Sequence, residues 1–151
     1  MIQRIQTIYL LLAGLIPAFA LFQSLLVFTT TEGGVLKLTG LGYEGTLADG
    51  RFPWGVCLLT IILALASLAT IFYYRNRKKQ IGMVNGCIGL ALAWYVTLGC
   101  YGWSILRRLA DVEMEITISA ILPAFSLVLL ILARKGIKKD EALVRAADRI
   151  R

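Results

Sequence analysis

Four stretches of this chain contain no aspartate, glutamate, lysine or arginine: residues 5–28, 52–74, 81–103 and 116–133. Each is dominated by Leu, Ile, Val, Ala and aromatic residues. A chain this short has too little interior to hide four such blocks from water in one soluble core. At 1.5 Å per helical residue, even the shortest block approaches the ~30 Å of a hydrocarbon layer. Composition agrees: 58% of the residues are hydrophobic, mean hydropathy is +0.76, and charged residues make up 17%, against about 25% in ordinary globular chains. The pattern predicts an all-α membrane protein, a four-transmembrane-helix bundle over residues 1–133.

The first block has a rival reading. Arg4 followed by apolar residues and Ala18-Phe19-Ala20 resembles a cleavable signal peptide. The apolar run continues through LFQSLLVF past that point, which favours a retained span, with Pro17 kinking it near its middle. Residues 29–51 are polar and glycine-rich. Within them Val35, Lys37 and Thr39 alternate with Leu36, Leu38 and Gly40, a weak strand signal. This segment is expected to be a short extracytoplasmic β-hairpin or ordered loop. The second block opens on Pro53-Trp54 and closes on Phe72-Tyr73-Tyr74, and the third closes on Tyr101 and Trp103. These positions suit the aromatic belts of a bilayer. Residues 104–115, acidic apart from Arg107 and Arg108, read as a solvated interhelical loop.

Basic residues set the expected orientation. The N-terminus, the loop between the second and third blocks and the C-terminal tail hold twelve lysines and arginines, and the other side holds four. By the positive-inside rule the basic side, with both termini, is cytoplasmic, in a multi-pass protein of the cytoplasmic (inner) membrane. The net charge of +7 sits beside the apolar blocks without interleaved aromatics, so anionic lipid head groups explain it better than nucleic acid. The expected contacts are Arg75, Arg77, Lys78 and Lys79 in the loop, and Lys138, Lys139, Arg145 and Arg149 in the tail. That tail, residues 134–151, carries Ile137, Leu143, Val144, Ala147 and Ile150 on one helical side. It predicts an amphipathic cytoplasmic helix that lies on the inner leaflet or binds a partner.

Little in the chain carries chemistry. There is no histidine, and Cys57, Cys87 and Cys100 lie apart within apolar stretches. No metal, cofactor or catalytic residue is expected. A Cys57–Cys100 disulfide is geometrically conceivable, although lone cysteines in apolar surroundings act as small hydrophobes. Spans free of ionisable residues argue against ion-coupled transport. Gly82, Gly86, Gly89 and Ala93 share one helical face, and Thr60, Ala64 and Ser67 form a small face on the preceding block. Such faces let helices approach closely in lipid, here either as an antiparallel hairpin or against a second copy or partner. Asn85 and Gln23 read as interhelical glue. Pro17 and Pro123 sit in similar short segments, a match that chance explains.

The opening Met1-Ile2-Gln3-Arg4-Ile5-Gln6-Thr7-Ile8-Tyr9-Leu10-Leu11-Leu12 and the closing Lys139-Asp140-Glu141-Ala142-Leu143-Val144-Arg145-Ala146-Ala147-Asp148-Arg149-Ile150-Arg151 resemble the domain of unknown function 4293 family, small four-span inner-membrane proteins of the Bacteroidota. The resemblance implies a cytoplasmic-membrane location and a role for both cytoplasmic ends. It brings no activity. The functional expectation is therefore an accessory, scaffold or interaction subunit of a membrane complex. The alternative is a lipid- or small-solute-handling protein that uses Arg107, Arg108, Asp111, Glu113 and Glu115 in the outer loop.

Overall fold

The computed structural model describes residues 2–48, 51–109 and 111–149. It is mostly helical: α1 (Ile2–Ala20), α2 (Trp54–Phe72), α3 (Arg77–Leu106) and α4 (Leu122–Arg149). Four strands form an antiparallel sheet: β1 (Ser24–Thr30), β2 (Val35–Thr39), β3 (Tyr43–Gly45) and β4 (Val112–Ile116), in the order β3-β2-β1-β4.

The sheet corrects the all-α expectation, and it does so in two of the apolar blocks. Residues 5–28 do not form one span: the helix stops at Ala20, and Ser24 onward is strand. Pro17 therefore falls in the last turn of α1 and not near mid-helix. The amide that Pro17 lacks would have bonded the Ala13 carbonyl, so the helix gives up that bond one turn before it ends. Residues 104–115 are not a free loop. α3 continues to Leu106, and Val112–Ile116 pairs along β1. The fourth block loses Ile116 to that strand, and its helix begins at Leu122 and runs unbroken into the tail.

The register gives the sheet two unlike faces. Leu26 lies opposite Leu38 and Ile116, and Phe28 opposite Leu36 and Met114. These side chains turn toward the helices. Val27 faces Lys37 and Glu115, and Lys37 in turn faces Glu44, so that row turns to solvent. A bulge between Ser24 and Leu26 breaks the alternation, and Leu25 and Leu26 are both buried as a result. Gly45, at φ +117, lets the chain turn where a side chain would strike the Val35 carbonyl.

The helices pack in cyclic order, α1 against α2 and α4, and α3 against α2 and α4. Two clusters fill the interior. Near the sheet, Leu25, Phe28, Leu38, Val56, Trp94 and Leu98 pack together. Farther down the helices, Leu10, Leu63, Val84, Cys87, Leu130 and Ile137 form the second. Trp94 joins α2 and α3 by donating its Nε1–H to Thr60 Oγ1 at 2.8 Å. Thr60, Thr70 and Ser126 return their hydroxyl protons to carbonyls of their own helices, which satisfies polar groups where water is scarce.

The outside of the helices is apolar. Ile8, Leu15, Leu58, Leu65, Leu92 and Phe125 are all exposed. Among the described residues, three helices are long and apolar enough to cross a membrane: Trp54–Phe72, Arg77–Leu106 and Ile118–Val144. The apolar part of α1 is shorter, Ile5–Ala20. Trp54 and Phe72, 73% and 79% exposed, lie about 27 Å apart along α2, close to a hydrocarbon thickness.

Candidate functional site

At the sheet end, α3 and the start of α4 diverge beneath β4 and leave a groove of about 490 Å³. Its walls come from four elements. Leu98, Gly99 and Trp103 belong to α3, Met114 and Ile116 to β4, and Ile121 to the turn before α4. Leu26 of β1 and Ala124 of α4 complete the lining. The alternation of β4 builds one wall: Met114 and Ile116 point in, and Glu113 and Glu115 are on the opposite face. Glycine builds another: a Cβ placed on Gly99 meets nothing within 4 Å, so the missing side chain leaves open space.

Chemically the groove is almost pure hydrocarbon. Among its lining side chains only Tyr95 and Trp103 carry an O–H or N–H group, and the Tyr95 hydroxyl already donates to the Ala120 carbonyl at 3.0 Å. Its rim is open, with Trp103, Ile116 and Ile121 at 61%, 66% and 51% exposure. The rim merges with the apolar flank of the helices at Val96, Phe125 and Val128. Next to the lining, Arg107 lies over the Trp103 ring, with the guanidinium carbon 5.1 Å from the ring centroid. A second, smaller pocket of about 170 Å³ lies on the other side of α3, lined by Arg51, Arg108, Tyr43, Tyr101 and Ser104 among others. There the Tyr101 hydroxyl accepts from the Gly55 N–H at 3.3 Å, serving one of the first-turn amides of α2.

The opposite, basic end holds a polar knot. Gln6 of α1 is buried and donates its Nε2–H to Asp140 Oδ2 at 2.8 Å, beside Gly136 of α4. Arg77 Nη1 lies 3.5 Å from both Gln6 Oε1 and Asp140 Oδ2. These contacts bring the N-terminal helix, the start of α3 and the tail helix to one end.

The residues singled out in the sequence fall in several places. Thr60 and Ser67 are buried and Ala64 is half-buried. Ala64 and Ser67 pack on Gly14 of α1, where any side chain would collide with them. Gly82, Gly86, Gly89 and Ala93 are exposed, and a Cβ on any of the three glycines meets nothing within 4 Å. The buried stripe of α3 is instead Val84, Cys87, Ala91 and Trp94. Lys78, Lys79, Lys138 and Lys139 are exposed, and Arg77 turns inward to Asp140. The side chains of Arg75, Arg145 and Arg149 lie outside the described set. Asn85 is exposed, and Gln23 sits in the turn after α1. All three thiols are free. The groove itself had no signature in the sequence beyond the alternating Val112-Glu113-Met114-Glu115-Ile116. Among the described residues no group of three or more Cys, Asp or Glu side chains is placed to hold a metal ion.

A mostly helical chain with three long apolar helices and a sheet across one end is compatible with a membrane protein. It belongs to the family described as Domain of unknown function (DUF4293), whose profile matches residues 2–150, essentially the whole chain. No curated protein matches the chain.

Proposed function

We propose that this is a four-span protein of the cytoplasmic membrane that takes up a lipid acyl chain in the groove beneath its sheet. In this reading residues 1–133 form a four-helix transmembrane bundle, and residues 134–151 form a basic cytoplasmic tail. The sheet stands outside the membrane and the basic end inside. Its support is the clustering of the basic segments around Gln6, Arg77 and Asp140 together with the positive-inside rule. Reporters inserted in the 31–33 turn, at Asn76 and at the C-terminus test the arrangement. The first is expected to report an outer location and the other two a cytoplasmic one, and an outward-facing Asn76 would overturn it.

The observation that carries lipid binding is the carbon-lined groove opening onto the apolar flank of α3 and α4. Its size is ordinary for a ligand pocket, but it offers almost nothing to a sugar, nucleotide or amino acid, whose polar groups would go unpaired there. A hydrocarbon chain needs no such partners, and one entering sideways from the outer leaflet meets no barrier. Gly99→Phe fills the groove without a backbone clash. It is expected to reduce co-purified lipid, read by native mass spectrometry, by about tenfold, equivalent to ~1.4 kcal/mol. Gly86→Phe, on the open face of α3, is the control and should leave lipid retention unchanged. Equal retention by Gly99→Phe and wild type would defeat the proposal.

A second reading, an interaction subunit, is favoured by the exposed Gly82, Gly86, Gly89 and Ala93 face and by exposed Leu143 and Val144 on the tail helix. Recovery of the chain only as a lone monomer after gentle solubilisation and cross-linking would count against it.

A further inference from the structure

We propose that the groove recognises a phospholipid by its phosphate, and that Arg107 is the residue that reads it. This rests on the lipid-binding reading above and adds the head-group chemistry. α3 ends at Leu106, and Arg107 follows as its C-cap. Trp103, one turn earlier, walls the groove, and the Arg107 guanidinium lies over its ring. Arg107 is exposed, so its guanidinium N–H groups, the donors that fit phosphate oxygens, are open to a ligand. Tryptophan also marks the interfacial depth at which lipid phosphates lie. A chain lying in the groove therefore has its polar end beside this one cation.

The surrounding groups narrow the assignment. The C-terminal end of a helix offers an anion carbonyls in place of free N–H groups, so α3 supplies no rival donor. Arg108 lines the smaller pocket on the other side of the helix. Glu113 and Glu115 are on the sheet face opposite Met114 and Ile116, so β4 turns its carboxylates from the groove. Lys37 pairs with Val27 and Glu44 on that same solvent face. Among the described residues, Arg107 is the charged side chain that lies against a lining residue of the groove.

The test uses the full chain in mild detergent, offered phosphatidylglycerol, phosphatidylcholine and diacylglycerol with identical acyl chains, with bound species counted by native mass spectrometry. Wild type is expected to retain both phospholipids over diacylglycerol by about tenfold, the scale of one charge-assisted hydrogen bond. Arg107→Gln, at an exposed position, should bring the three close to parity while diacylglycerol retention stays at the wild-type level. Arg108→Gln should leave the preference intact. Parity in wild type, or a preference that survives Arg107→Gln, would overturn the inference while leaving chain binding standing. Retention of phosphatidylglycerol but not phosphatidylcholine would overturn it too, since the site would then read net charge. Failure of wild type to retain any of the three lipids would instead remove the lipid-binding reading itself.

Discussion

Trp94→Ala is expected to destabilise the protein by about 3 kcal/mol, toward the lower end of the range for large aromatic truncations. Trp94 is 2% exposed, sits where α2, α3 and the sheet-side cluster meet, and has Tyr95 edge-on at 5.0 Å. Two terms contribute. The bond to Thr60 Oγ1 at 2.8 Å is interhelical, and such bonds in membrane bundles average only about 0.6 kcal/mol. The rest is the cavity. In the bilayer setting proposed above, lipid is as apolar as the protein interior, so little transfer energy is lost on truncation. The dispersion contacts of a close-packed indole are lost in full. Trp94→Phe should therefore recover most of the loss even though it cannot donate to Thr60. Denaturation of the three proteins in mixed micelles, followed by circular dichroism, separates the terms. A Phe variant as unstable as the Ala variant would show that the hydrogen bond dominates.

How much of this was legible in the sequence depended on whether a segment's pattern had one structural meaning. The second and third blocks did: about twenty charge-free residues flanked by aromatics and then basic residues become helices α2 and α3. The alternation in Val35–Thr39 also became a strand, β2. Leu21–Phe28 was ambiguous, because an unbroken apolar run fits a buried strand as well as a helix. Its only punctuation is Gln23-Ser24, and that is where the turn after α1 gives way to β1. Val112-Glu113-Met114-Glu115-Ile116 alternates strictly, but the charges drew attention to solvent and away from the period of two. The small face of α3 shows a different limit. Spacing places Gly82, Gly86 and Gly89 on one side of a helix but does not say what that side meets. In the fold the small face of α2 meets Gly14 instead. The groove was less legible still, since it is assembled from α3, α4 and two strands remote in sequence.

Phe28→Asp separates the strand from the helix it replaces, and it is expected to be the most damaging single substitution considered, at about 4 kcal/mol or more. Phe28 is 0% exposed on β1, an inner strand, between Leu36 and Met114. Aspartate there leaves a carboxylate without a partner among apolar side chains, and neutralising it by protonation still leaves an unmatched polar group. The next residue should behave in the opposite way. Thr29 is exposed on the solvent face opposite Glu113, so Thr29→Lys gains a cross-strand charge pair and should change stability by no more than about 0.5 kcal/mol. A span running through residue 28 would instead place both residues near its end, where charges are tolerated far better than at the bilayer centre, and would give no such contrast. The measurement is the thermal midpoint of each variant in the same detergent. Similar midpoints for the two variants would defeat the strand assignment, and with it the roof of the groove, because β1 is the strand on which β4 pairs.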